Sequence, residues 1–138
     1  MTPSNVLEVE GLSTAFVRNG AWHHVVRDVS LTIGRRETVA LVGESGSGKS
    51  VTSLSIIGLL DSARSRITGS VKLDGQELTA LSEAQMEAVR GNRVAMIFQE
   101  PMTSLNPVMT IGDQIAEAVY CHRPVSWRQA RSEALGLL

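Results

Sequence analysis

The sequence predicts an α/β fold, and three observations carry that expectation. Thr38-Val39-Ala40-Leu41-Val42 is apolar without alternation, as a parallel strand buried on both faces would be. The glycine-rich run Gly43-Glu44-Ser45-Gly46-Ser47-Gly48-Lys49-Ser50 follows at once, and Val51, Leu54, Ile57 and Leu60 then recur at helical steps. Upstream, short β-branched runs separated by polar residues read as antiparallel strands.

The elements follow in order. Val6–Val9, Thr14–Val17 and Val29–Ile33 are the first strands, the last closed by Gly34-Arg35-Arg36-Glu37. Thr38–Val42 is the buried parallel strand, and Lys49 to Leu60 the helix after the loop. Gly69 to Gly75 ends in Asp74-Gly75, the pair that suits a type I′ hairpin turn. Ser82 and Gln85 have capping-box spacing and open a helix that Gly91 could end. Val94–Phe98 is a second continuous apolar run. Gln99-Glu100 stands at its C-terminal end before Pro101, where open parallel sheets place ligand-binding groups. Ile111–Tyr120 and Ser126–Leu138 read as two further helices.

Bulk properties narrow the function. A chain of 138 residues has room for one core, so one domain or part of one is expected. Its 13 basic and 14 acidic residues nearly cancel, which removes the electrostatic case for nucleic acid as the main partner. No apolar run approaches the roughly 20 residues that span a bilayer, and the start lacks the basic and apolar regions of a signal peptide, so a cytoplasmic chain is expected. Cys121 is the single cysteine, which excludes an internal disulfide and a cysteine metal cage and leaves an idle thiol as the expectation. His23 and His24, read as lying in a turn before Val25, have no third ligand at suitable spacing and are expected to be a solvated pair.

Gly43, Gly48, Lys49 and Ser50 satisfy the P-loop pattern, and each position has a physical reason. Glycines let the backbone curl so that successive N–H groups face phosphate oxygens, while the helix starting near Lys49 contributes its positive end. Lys49 would reach the β- and γ-phosphates as a point charge, and the Ser50 hydroxyl would be a ligand of Mg²⁺. The loop therefore predicts binding of a nucleoside triphosphate with its metal. It does not by itself separate kinases, GTPases and recombinases, which share it.

The stretch Met96-Ile97-Phe98-Gln99-Glu100-Pro101-Met102-Thr103-Ser104-Leu105-Asn106-Pro107 is more discriminating. With Gly43-x-Ser45-Gly46-x-Gly48-Lys49-Ser50, it resembles the ATP-binding subunit of an ABC transporter. The wording VGESGSGKS and FQEPMTSLNP is similar to the oligopeptide, dipeptide, glutathione and nickel importer branch, and the resemblance runs from about Val6 to the last residue. It implies a P-loop NTPase of the ABC ATPase type, with an antiparallel β subdomain and P-loop core over about residues 1–95. A Q-loop and the start of a helical subdomain would follow over about 99–138, with the core sheet incomplete.

The same resemblance implies site roles and partners. Gln99 is the Q-loop glutamine, reaching Mg²⁺ and the attacking water; a carboxamide suits this because it ligates through oxygen without adding charge. Glu100 to Pro107 is the surface that couples to the membrane subunit. Phe16 is the candidate for stacking on adenine, with Trp22 as its competitor. Partners would be the transmembrane permease subunits, a second nucleotide-binding subunit and, indirectly, an external solute-binding protein. The location would be peripheral, at the cytoplasmic face of the inner membrane.

The family hydrolyses ATP with a Walker B aspartate, a catalytic glutamate, a switch histidine and an LSGGQ signature, none of which occurs in these 138 residues. By comparison with the family the chain is expected to be an N-terminal fragment ending in the helical subdomain. Such a chain should bind ATP without turning it over, and should expose an unpaired sheet edge that favours aggregation. The competing expectation is a short protein that binds ATP or the permease without hydrolysis, or a gene remnant. A soluble nucleotide kinase or GTPase gives no reason for FQEPMTSLNP, and no Asx-Lys-x-Asp guanine-reading motif is present.

Overall fold

The computed structural model describes residues 5–99 and 105–138, which divide between two compact units, Met1–Met86 and Glu87–Leu138. In the first, β1 (Asn5–Arg18), β2 (Ala21–Gly34), β3 (Ser65–Leu73) and β4 (Gln76–Glu77) form one antiparallel sheet in the order β2-β1-β3-β4. Helix α1 (Lys49–Ile56) packs on it. Leu12, Val9, Val71 and Thr14 are wholly buried. Each such aliphatic side chain contributes about 1.5–3 kcal/mol.

Two strand expectations merge. Val6–Val9 and Thr14–Val17 belong to a single strand, because the polar residues between them are absorbed by a register break around Gly11, whose φ is 61°. Its partner β2 also begins earlier than expected. Asn19 and Gly20, with φ of 52° and 77°, make a two-residue hairpin turn, so Trp22, His23 and His24 lie in β2 opposite Val17, Phe16 and Ala15 instead of in a turn. Asp74 and Gly75 (φ 48° and 79°) close β3 onto β4, as the Asp-Gly pair predicted.

Thr38–Val42 does not form the expected strand. Among the described residues no segment pairs with it, and without a ladder its backbone groups have no reason to stay extended. Val42 is 88% exposed. Val94–Phe98 meets the same fate for the same reason: Arg90 and Val94 make an isolated parallel bridge, and Ile97 is 94% exposed.

Helix α1 is shorter than its apolar stripe. Gly58, at φ 62°, ends it in a Schellman arrangement: the Leu59 N–H donates to the Leu54 carbonyl at 2.9 Å and the Gly58 N–H to that of Ser55 at 3.2 Å. Leu60 thus falls outside. The face turned to the sheet also carries small hydroxyl residues, Thr52 and Ser55, both buried.

Helix α2 (Glu83–Val89) follows a reciprocal Ser82–Gln85 capping box. The chain turns after it at Gly91, whose φ is 75°. The second unit contains the helix pair α3 (Ile111–His122) and α4 (Trp127–Leu137). Ala116, Ala130 and Ala134 are fully buried between them, with Ile115, Val119 and Val125 packed around. Small side chains let the two helices approach closely. Thr110 caps α3 by accepting from the Asp113 N–H, and Ser126 with Gln129 forms a capping box on α4. Arg131 to Asp113 at 3.0 Å and Arg123 to Glu133 at 2.7 Å tie the helices at their exposed edges.

Candidate functional site

The loop Gly43–Gly48 leads directly into α1, so Lys49 and Ser50 are the first two residues of the helix. Gly48 is the N-cap at φ 92°, and no side chain caps this end. A Cβ there would meet the backbone carbonyl of Val25 at 3.2 Å, in a conformation that L side chains rarely adopt. Glycine is therefore required where the loop passes over β2. At Gly43 a Cβ would lie 2.7 Å from Ser47 Oγ, so a side chain there would require the Ser47 hydroxyl to move.

Lys49 Nζ lies inside this curl. It donates to the carbonyls of Gly43 and Glu44, each at 2.7 Å, and to Ser47 Oγ at 3.3 Å, while the Ser47 N–H donates to the Glu44 carbonyl. The ammonium is thus held at the mouth of the loop by three oxygens rather than extended into solvent. Glu44, Ser45, Gly46 and Ser47 are exposed, as is Ser50 on the first turn. Four of the expected site residues, Gly43, Glu44, Ser47 and Lys49, are brought together by these distances.

The donor set fits a polyphosphate with a hard cation. A lysine ammonium, a helix start without a side-chain cap and a serine hydroxyl one residue on are the groups that phosphate and Mg²⁺ use. No group of three or more His, Cys, Asp or Glu that could hold a metal occurs among the described residues.

Helix α1 is fixed on the sheet by a buried polar contact. Ser55 Oγ donates to the Val51 carbonyl at 2.7 Å, so its lone pair accepts from Thr14 Oγ1, also at 2.7 Å. Thr52 donates from Oγ1 to the Gly48 carbonyl at 3.0 Å. These hydroxyls were not singled out in the sequence, because the helical stripe drew attention to the aliphatic positions.

Phe16 is half-buried in β1 and pairs with His23 and Ser65. From Ser13 to Phe16 the pairing with β3 is unbroken, so alternation puts Phe16 on the face of Thr14, the face that α1 covers. Trp22 opposes Val17 and lies on the other face, where the Arg66 guanidinium stacks 4.7 Å from its ring centroid. The sheet thus separates the two aromatic candidates.

Gln99 is exposed and belongs to the second unit. Within the expected coupling segment, residues 100–104 lie outside the described residues, while Leu105, Asn106 and Pro107 are exposed. No helix of the described residues is long and apolar enough to cross a membrane.

Comparisons with known proteins agree on one family. A family model described as ABC transporter matches residues 26–136. The chain is 52% identical over 136 residues to the oligopeptide transport ATP-binding protein AppD of Bacillus subtilis, covering 98% of this chain and 42% of AppD. It is 47% identical over 133 residues to a putative peptide import ATP-binding protein of Brucella melitensis, covering 96% of this chain and 40% of that protein. With the glutathione import ATP-binding protein GsiA of Salmonella choleraesuis the identity is 48% over 140 residues, 97% of this chain and 22% of GsiA. The chain therefore spans less than half the length of these relatives. Among solved structures, the dimeric bacterial ABC transporter cassette MJ0796 superposes with a TM-score of 0.75 at 26% identity, covering 94% of this chain and 54% of that one. MJ0796 in a post-hydrolysis state bound to ADP and Pi gives the same values.

Proposed function

The chain belongs to the ABC transporter ATPase family, and from that premise we propose that residues 43–50 bind ATP with Mg²⁺ for an importer of peptides or related small solutes. The observation that carries this reading is Lys49 Nζ held within the curl of Gly43–Ser47 at the start of α1. In this reading Lys49 takes the β- and γ-phosphate charge, the glycine loop surrounds the phosphates, and the Ser50 hydroxyl takes a place on the metal. The bound Mg²⁺ supplies charge neutralisation of the phosphates. Phe16, on the helix-bearing face of the sheet, stacks on adenine.

Gln99 contacts the metal and the attacking water. The groups with which the family activates water have no counterpart in these 138 residues, so this segment is assigned binding, and turnover only in company with them. The peptide class of solute is supported by the names of AppD and the Brucella protein, and the broader class by that of GsiA. The chain works at the cytoplasmic face of the membrane, against permease subunits and a second nucleotide-binding subunit, with an external solute-binding protein delivering the solute.

Lys49→Ala tests the site. Titration with a fluorescent ATP analogue should show affinity falling by about two orders of magnitude, in line with roughly 3 kcal/mol for hydrogen bonds to a charged group. Affinity equal to that of the parent chain would end the P-loop assignment.

A further inference from the structure

One residue that the site does not use holds the described end of the expected coupling segment. Gln114, at the start of α3, turns its side-chain amide toward Asn106, eight residues earlier. Its Oε1 accepts from the Asn106 backbone N–H at 3.0 Å, and its Nε2 donates to the Asn106 carbonyl at 3.0 Å and to the Met109 carbonyl at 3.2 Å. One amide thus satisfies both backbone groups of a single residue, as the neighbouring strand of a sheet would.

The rest of the loop is built on that anchor. Asn106 Oδ1 accepts from the Val108 N–H at 3.1 Å, and the Asn106 carbonyl also accepts from the Met109 N–H at 3.2 Å. The Gln114 N–H in turn donates to the carbonyl of the α3 cap Thr110, so the amide is carried by a helix rather than a loop. The turn so held exposes Leu105 and Val108, the latter at 88%.

We propose that Gln114 is the positioning residue of the coupling segment: by fixing Asn106 it holds the described end of that segment, Leu105–Pro107, in the one shape that the cytoplasmic side of the permease meets. The proposal rests on the reading above that this segment faces the permease. A free loop would have to be ordered at each docking event, at a cost in backbone entropy. The clamp meets that cost in advance, from outside the docking segment.

The test uses the full-length chain assembled with its permease subunits in lipid. Gln114→Met keeps length and helix preference while removing every hydrogen bond of the clamp. It should leave nucleotide affinity and basal ATP hydrolysis unchanged, speed hydrogen exchange of the 105–109 amides on the order of five- to tenfold, and lower the solute-stimulated rate severalfold. Should that variant fail to assemble, Gln114→Glu replaces it, keeping the acceptor and removing both donations. Unchanged exchange would overturn the clamp, and faster exchange with full stimulation would overturn its role in coupling. A parent transporter whose ATP hydrolysis ignores solute and permease would instead overturn the coupling reading itself.

Discussion

Glu77 concentrates more hydrogen bonds than any other carboxylate described here. Its Oε1 accepts from the Val71 N–H at 2.9 Å and from the N–H and hydroxyl of Thr79, and its Oε2 accepts from the Ser70 hydroxyl. Burial pushes its pKa up, but the bonds from Ser70, Thr79 and Val71 outweigh it and bring the group from 4.5 to about 2. The ionised form is thus favoured by folding. Its stabilisation is complete above pH 4.5 and disappears as pH falls towards 2, where the folded protein too must take the proton. Urea midpoints measured across that window should fall with acid in the parent chain and fall less in Glu77→Gln; parallel curves would show that the carboxylate is not the titrating group. Lys49 was legible in the sequence because its spacing from Gly43 is local. The Thr14–Ser55 contact was not, because 41 residues separate the two hydroxyls.

At the scale of elements, locality again decides what could be read. Asp74-Gly75 and Ser82 with Gln85 each specify a turn or cap within four residues, and each appears where the sequence put it. Asn19-Gly20 carried an equally local signal, but Trp22-His23-His24 after it lacks clean alternation and was read as turn. Thr38–Val42 and Val94–Phe98 are apolar enough to be strands, yet a strand exists only by pairing, and their own residues do not name a partner. The α3–α4 contact leaves little room, since three fully buried alanines lie in it with Ile115, Val119 and Val125 packed against them. Ala130→Leu should therefore lower stability by about 1–3 kcal/mol through overpacking. Thermal unfolding followed by circular dichroism measures it, and an unchanged midpoint would mean that the helices separate at no cost.

For the whole molecule, the balance between covered and uncovered apolar surface sets the solution behaviour. Val42, Ile97 and Phe98 face solvent in segments whose composition suits a buried sheet. The isolated 138 residues should bind a hydrophobic dye and self-associate in a concentration-dependent manner. A sharp, reversible two-state melt of a monomer in a sizing column would contradict this. Mg²⁺ and ATP at about 100 times the dissociation constant should offset about 2.7 kcal/mol of instability by linkage alone. The family was legible in two short motifs. The amide clamp of Gln114 was not, because nothing in Ile111-Gly112-Asp113-Gln114 declares which backbone its side chain will reach.

The hydroxyl pair between Thr14 and Ser55 has a mechanical meaning for α1. A buried hydrogen bond of 2.7 Å is directional, so it adds to the aliphatic packing a restraint on how far the helix turns about its own axis. The sheet therefore dictates the azimuth of α1, and with it the direction in which Lys49 and Ser50 leave the first turn. Removing the Thr14 hydroxyl would leave the helix formed and in place but less firmly oriented, so the loss would surface about one and a half turns away, at Lys49 and Ser50.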